Sequence, residues 1–443
     1  MARIKTLYRW LIEKIWFYPT LYSIFSVLAA FIVISNDMGT ITFFPFEIPS
    51  VLLTTKEMGE PILGIIAGAF VTITTFTFST TMVVLTMYTS QYTPRVIKNF
   101  LAQKETLQSF GVFVSGFLYA MIALLFLSNF EEDVEIASAT VGIVYILVGL
   151  VFFFRFVNNV ASYIQTEVLL ERLKDNAYES IKDYKELTEK KEILTDIALK
   201  KLEQGNSIYA EKDGYFQRID YQKLIKIAKD YRIELFITKV IGQFVTKKTK
   251  IGTYREIGQP LTKKQQDQLS EEMMTLDLVK KERTEEQDFA YTFQKVVEVG
   301  MRALSPGIND PNTAVQCIQM LSLMLRELSS VDSGYLIMEK EEDEQSLHIT
   351  PVMVCTEAID FEILLIRTFQ QLVHYGKDDM MVMKEILKAM QVIDENSTDI
   401  NHKTVMDFCN YIIRKLEKEN YDKKELKIIQ IEIDELRNKR KPR

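Results

Sequence analysis

Residues 61–95 read PILGIIAGAFVTITTFTFSTTMVVLTMYTSQYTPR, and from Pro61 to Gln91 this stretch holds no Asp, Glu, Lys or Arg. About 20 apolar residues suffice for a helix to cross a bilayer. Three further stretches meet or approach that length without a charge: Ile15–Asn36, Thr106–Phe130 and Ile136–Phe154. The pattern predicts four transmembrane helices, over about 15–36, 61–91, 106–130 and 136–154. The apolar run of the first is too long for a cleavable signal sequence and has no small-residue cleavage pattern, so a retained helix is expected.

The rest of the chain is of another kind. Residues 1–155 carry 9 Lys/Arg and 10 Asp/Glu, whereas the whole 443-residue chain carries 53 and 60. A charge-poor front and a charge-rich back exclude a uniformly soluble enzyme, a collagen-like chain and a disordered one. The net charge of −7 argues against a nucleic-acid partner. Basic residues flank alternate ends of the spans. Arg3, Lys5, Arg9 and Lys14 precede the first, Arg95, Lys98 and Lys104 separate the second from the third, and Arg155 and Arg172 follow the fourth. The other connections hold Lys56 against eight acids. The positive-inside rule then places both termini of this multi-pass chain in the cytoplasm.

On a helix at 100° per residue, Gly64, Gly68, Thr72, Thr75, Ser79, Thr86 and Ser90 of the second span fall on one face. Thr74, Thr77 and Thr81 lie roughly opposite. The first face has two readings. Small residues at four-residue spacing let helices approach closely, and hydroxyls facing water can replace part of an ion's hydration shell. The two coexist if helices pack around an oligomer axis. No span carries a carboxylate, His or Lys, which argues against a proton-driven pump.

The expected fold class is a four-helix membrane α-helical bundle plus a cytosolic, mainly helical α+β domain. Residues 1–157 form the transmembrane domain and 158–204 an amphipathic helical connector. Residues 205–260, with short β-rich runs around a helical YQKLIKIAKDY, form a small α+β or barrel-like module. Residues 261–443 form a helical domain ending in a basic tail, with a short hairpin near 335–350. Asp288, and Asp310 followed by Pro311, are expected helix N-caps.

Between two amphipathic helices lies Arg302-Ala-Leu-Ser-Pro-Gly-Ile-Asn-Asp-Pro-Asn-Thr-Ala314. With Ser90-Gln-Tyr-Thr-Pro-Arg95, Gly214-Tyr215 through Ile219-Asp220, Gly242-Gln-Phe-Val245, Arg283 with Glu286-Gln-Asp288, and His374-Tyr-Gly376, it makes the chain resemble a bacterial family of multi-pass membrane proteins of unknown function, DUF2254. The resemblance implies topology and an inner-membrane location and brings no activity. The chain departs from the family pattern at Asn312, where an aromatic is usual, and after Phe244-Val245. In the motif, Arg302 can pair with Glu298 one turn earlier, and Ser305, Asn309, Asp310, Asn312 and Thr313 supply oxygens at a helix start. They are read either as a tightly specified turn or as a seat for an anion near Arg302 or a divalent ion near Asp310.

His348, His374 and His402 are scattered, the three cysteines are isolated, and no phosphate-cradling or nucleophile-elbow motif occurs. No catalytic residue, metal set or cofactor is assigned. The leading expectation is an oligomeric membrane channel or transport protein. Its second span would line or flank the pathway, and its cytosolic domain would gate or assemble it. A membrane-anchored sensor or scaffold is the alternative, and an enzyme the least favoured. Expected partners are the lipid bilayer, further copies of the chain, and a small ion or cytosolic ligand.

Overall fold

The computed structural model describes residues 14, 16–38, 49–91, 104–128, 130–131, 134–163, 165–189, 191–194, 205–217, 219–285, 287–340, 352–418 and 421–438. The expected basic tail after Asn438 and the basic segment after Gln91 lie outside them. The chain divides into two compact units, Met1–Val168 and Leu169–Arg443.

Among the described residues, the first unit contains four helices long and apolar enough to cross a membrane: α1 (Phe17–Asp37), α2 (Lys56–Gln91), α3 (Lys104–Leu127) and α4 (Ser138–Tyr163). Helices α2 and α3 begin earlier than their charge-free stretches, because Glu57 and Glu105 suit a helix's positive N-terminal end. Helix α4 runs past Arg155 to Tyr163, since a long basic side chain does not break a helix. Helix α2 has 36 residues, about 54 Å at 1.5 Å per residue, against a hydrocarbon core of about 30 Å.

Glycines decide how these helices close. The ring of Phe70, fully buried on α2, seats against Gly116 of α3 and Gly149 of α4, and a Cβ at either glycine would overlap it. Gly111 gives the same close approach to Tyr18 and Tyr22 of α1. Hydroxyls link the helices further. Ser26 donates to the Ser115 carbonyl (2.5 Å), the Ser115 and Tyr145 hydroxyls share a hydrogen bond (2.7 Å), and Tyr119 donates to the Ser138 carbonyl (2.9 Å). In an apolar medium such bonds hold helices in register.

Asp37, the last residue of α1, accepts from the backbone N–H groups of Ala137 and Ser138 (both 3.0 Å) and so caps the start of α4. The short strands β1 (Thr54–Thr55) and β2 (Glu135–Ile136) pair antiparallel at the same end.

The second unit holds most of helix α5 (Thr166–Glu189), α6 (Tyr221–Tyr231), α7 (Lys263–Thr275), α8 (Phe289–Ala303), α9 (Pro311–Leu328), α10 (Phe361–Gly376), α11 (Met380–Asp394), α12 (Asp399–Leu416) and α13 (Lys423–Asn438). Its strands are β3 (Glu192–Leu194), β4 (Asn206–Tyr209), β5 (Gly214–Phe216), β6 (Ile233–Ile237), β7 (Phe244–Val245), β8 (Lys250–Glu256), β9 (Val279–Lys280), β10 (Tyr335–Lys340) and β11 (Val352–Glu357). Helix α4 ends at Tyr163 and α5 starts at Thr166, and β3 interrupts the expected helical connector.

The strands of 205–260 do not make a sheet by themselves. The six-stranded sheet has the order β3-β10-β11-β6-β8-β4, and β11 pairs parallel with β6 through Val354↔Leu235 and Cys355↔Phe236. All five residues of β6 are buried, so this strand needs neighbours on both edges and cover on both faces. One of those neighbours is β11, which pairs with β10 and lies just beyond the 335–350 expected for a hairpin. Helices α6 and α7 cover one face through Leu224, Ile227, Leu269 and Met273. A second, three-stranded sheet runs β7-β5-β9.

Asp37→Ala removes the cap of α4. The expected outcome is a loss of about 1 kcal/mol of stability, read as a lower unfolding midpoint of the purified protein, with Asp37→Asn intermediate.

Candidate functional site

Three groups of residues stand out, one in the first unit and two in the second. On α2, Gly64, Gly68, Thr72, Thr75, Ser79 and Thr86 are all exposed in the single chain. The side chain of Ser90 lies outside the described residues. The opposite face of α2 is the one the bundle uses: Leu63, Ile66, Phe70, Thr77, Thr81 and Val84 are buried. A Cβ at Gly64 or Gly68 would meet nothing within 4 Å. These two glycines therefore serve no packing inside the described chain, unlike Gly111, Gly116 and Gly149.

Two hydroxyls on this face bond to their own helix. Thr72 donates to the Gly68 carbonyl (2.9 Å) and Thr86 to the Met82 carbonyl (2.9 Å). A hydroxyl that has donated its proton turns only acceptor lone pairs outward.

In the second unit the motif at 302–314 folds as the turn between α8 and α9. The Ser305 hydroxyl donates to the Arg302 carbonyl (2.7 Å), and the N–H groups of Ile308 and Asn309 return to the Ser305 carbonyl. Asn309 takes a left-handed conformation (φ 50°), which lets the N–H of Asp310 reach the Ala303 carbonyl (2.9 Å). Asp310 then caps α9, accepting from the Thr313 N–H (3.1 Å) and the Thr313 hydroxyl (2.6 Å). The hydrogen bonds from Thr313 hold its carboxyl below the usual range. Asn312 is exposed. The Glu298 carboxylate accepts from Gln294 (3.1 Å). Gly376 lies against Val382 and Leu304, bringing the His374-Tyr375-Gly376 segment beside the turn.

The remaining motif pieces of the second unit converge elsewhere. Asp288, fully buried, accepts from Arg283 Nε (2.7 Å), Arg283 Nη2 (2.8 Å), Gln217 Nε2 (3.1 Å) and the Tyr291 N–H (3.1 Å). Gln217 accepts in turn from the Thr284 N–H (3.0 Å), and the N–H of Ile219 donates to Gln287 Oε1 (2.8 Å). Gly242, at φ 90°, passes so close that a Cβ would strike Asp288 and Arg283. The Arg283 guanidinium also stacks on Tyr291 (4.8 Å). Segments 214–220, 242–245 and 283–288 are thus tied to one carboxylate whose lone pairs are already used, an arrangement that orders loops and leaves no acceptor for a ligand. Sequence spacing did not single out this cluster. Its one local signal is an arginine five residues before an N-cap aspartate.

Among the described residues no group of three His, Cys, Asp or Glu is placed to hold a metal. Cys317, Cys355 and Cys409 are buried, which pushes each thiol up to about 12 and leaves it unreactive at neutral pH.

Four apolar helices in one unit, and a helical unit built on a mixed sheet in the other, define a membrane protein with a large polar domain. The chain belongs to the predicted membrane protein family DUF2254, which matches residues 12–392. It is 20% identical over 349 residues to an uncharacterised protein of Mycobacterium bovis and to one of Mycobacterium tuberculosis. Each match covers 76% of this chain and 64% of the relative, so the chain spans under two thirds of the length of these relatives. No solved structure matches it.

Asp288→Ala leaves the Arg283 guanidinium without its carboxylate in a mostly buried site, and a loss of about 3–5 kcal/mol is expected. Arg283→Lys keeps the charge but not the two-pronged contact, and it falls between. Asp310→Ala costs about 1 kcal/mol. Because the folded carboxyl of Asp310 lies below its unfolded value of about 3.9, its contribution is full above that value. It disappears as pH falls through the lower folded value. Thermal unfolding of the full chain at pH 7 and pH 3 measures each effect.

Proposed function

We propose that copies of this protein assemble in the membrane along the Gly64–Gly68–Thr72–Thr75–Ser79–Thr86 face of α2, around a path for small ions. The observation that carries this reading is the contrast between the faces of α2. One is spent on the bundle core. The other pairs glycines that no described neighbour needs with hydroxyls that are exposed among the described residues. Glycines at four-residue spacing let two helix backbones approach, so a second copy gives Gly64 and Gly68 a use. Hydroxyl oxygens that have already donated their protons suit a cation rather than an anion. The acid-rich connections Asp37–Glu60 and Glu131–Glu135 would favour cations at an outer mouth.

The basic residues around the spans support a cytoplasmic location for both termini, in a bacterial inner membrane, and so for the second unit. That unit would then gate or assemble the pathway, and its ligand would be cytosolic. The back-bonding of Thr72 and Thr86 favours a second reading as well. Hydroxyls satisfied by their own helix tolerate a dry contact, and α2 would then only join the copies of a membrane-anchored sensor or scaffold.

Two measurements separate these readings. With Cys at Gly68 or Thr75, oxidation should link two copies in native membranes, whereas Cys at lipid-facing Phe154 should not; absence of linkage sinks the assembly. In liposomes the purified protein should pass monovalent cations, and Thr75→Val with Ser79→Ala should change that flux several-fold. Linkage without conductance at any voltage or pH tried supports the scaffold.

A further inference from the structure

The second unit contains a cavity of about 650 Å³ between α7 and β4, the last strand in the order of its sheet. Its floor is made by Ile233 and Leu235 of β6, Ile251 of β8, Leu269 and Met273 of α7, and Leu278, none more than 7% exposed. Its mouth is mixed: Ser207, Gln266 and Ser270 are exposed there beside Tyr209 and Met274, and Tyr254 is half-buried. An apolar floor with a few polar groups at the entrance, in this range of volume, is the usual make-up of a small-molecule site.

Two independent rulers give its shape. Ser207 to Tyr209 covers about 7 Å of β4, after which the chain bends at Glu211, and Gln266 to Met274 along α7 covers about 12 Å of helix axis. All five residues line the cavity, so it is a slot running beside the strand.

Charge is confined to one end. Of the lining residues only Glu211 and Lys247 are ionisable at neutral pH. The Ala210 N–H donates to the Thr249 carbonyl (3.0 Å) and the Lys247 N–H to Asp213 (2.7 Å), which ties both to the same end. Asp277, just past α7, is held there by Lys212 and Lys280. That leaves Lys247, Lys248 and Lys250 against Glu211 and Asp213. Burial pushes the Glu211 carboxyl up.

We infer that this slot binds an anionic amphiphile, with an apolar body about 12 Å long lying along α7 beside β4 and a carboxylate or phosphate head beside Lys247. Covering the slot removes its apolar floor from water, and the basic end reads the head. The inference stands apart from the reading of α2.

The test is hydrogen exchange on the full-length protein in phosphatidylcholine nanodiscs, with decanoate, decylamine or decanol each below its micelle concentration. Decanoate should slow exchange several-fold at both 206–211 and 263–275, decanol should do less, and decylamine least. Ser270→Trp and Met274→Trp, both exposed positions at the mouth, should each abolish that protection while leaving the unfolding midpoint unchanged. Lys247→Glu should reverse the order of decanoate and decylamine. Replacing phosphatidylcholine with phosphatidylglycerol separates the sources: protection without decanoate makes a bilayer lipid the ligand, and protection only with decanoate makes it a free amphiphile. No slowing with decanoate or the anionic lipid, slowing that survives both tryptophan variants, or decylamine equalling decanoate in the unsubstituted protein overturns the inference.

Discussion

The membrane unit depends on the fit of one ring. Phe70 enters the bundle where Gly116 and Gly149 have no side chains, and that fit sets how α2, α3 and α4 approach. In hydrocarbon there is no water to expel between helices, so van der Waals contact and interhelical hydrogen bonds carry their association. Seating Phe70 fixes the rotation of α2 about its axis. That rotation turns Gly64, Gly68, Thr72, Thr75, Ser79 and Thr86 away from the bundle. The polar stripe of the helix is outside because its aromatic anchor is inside.

The second unit has a comparable centre in the carboxylate of Asp288. Four hydrogen bonds converge on a group with no exposed surface. Removing that charge from water is costly and is offset only when every lone pair is occupied. The cost of a missing partner explains why loops far apart in sequence meet there, and why Gly242 tolerates no Cβ beside it.

The apolar spans were legible because the length requirement of a bilayer is severe and a single charge within a span is conspicuous. Caps were legible at Asp288 and Asp310, where a short acidic side chain precedes an apolar periodic run. Which face of α2 packs was not. A helical wheel gives two polar clusters, and the choice between them rests on Phe70 meeting glycines on other helices. The link between β6 and β11 was also hidden, since parallel pairing leaves no turn signal between its strands. The slot along β4 depends on how far α7 stands off the sheet, and no spacing of residues encodes that distance.

The parallel pairing has a consequence for synthesis. About 115 residues separate the end of β6 from the start of β11. At about 5–20 residues per second, β6 waits roughly 6–23 s on the ribosome before its neighbour exists. Throughout that interval a strand of four apolar residues and one glutamate, Glu234, offers an open edge, the kind of surface that invites pairing with another chain. The biogenesis of this protein therefore includes a vulnerable interval, during which a nascent-chain chaperone or early shielding by α6 has to keep that edge from the wrong partner.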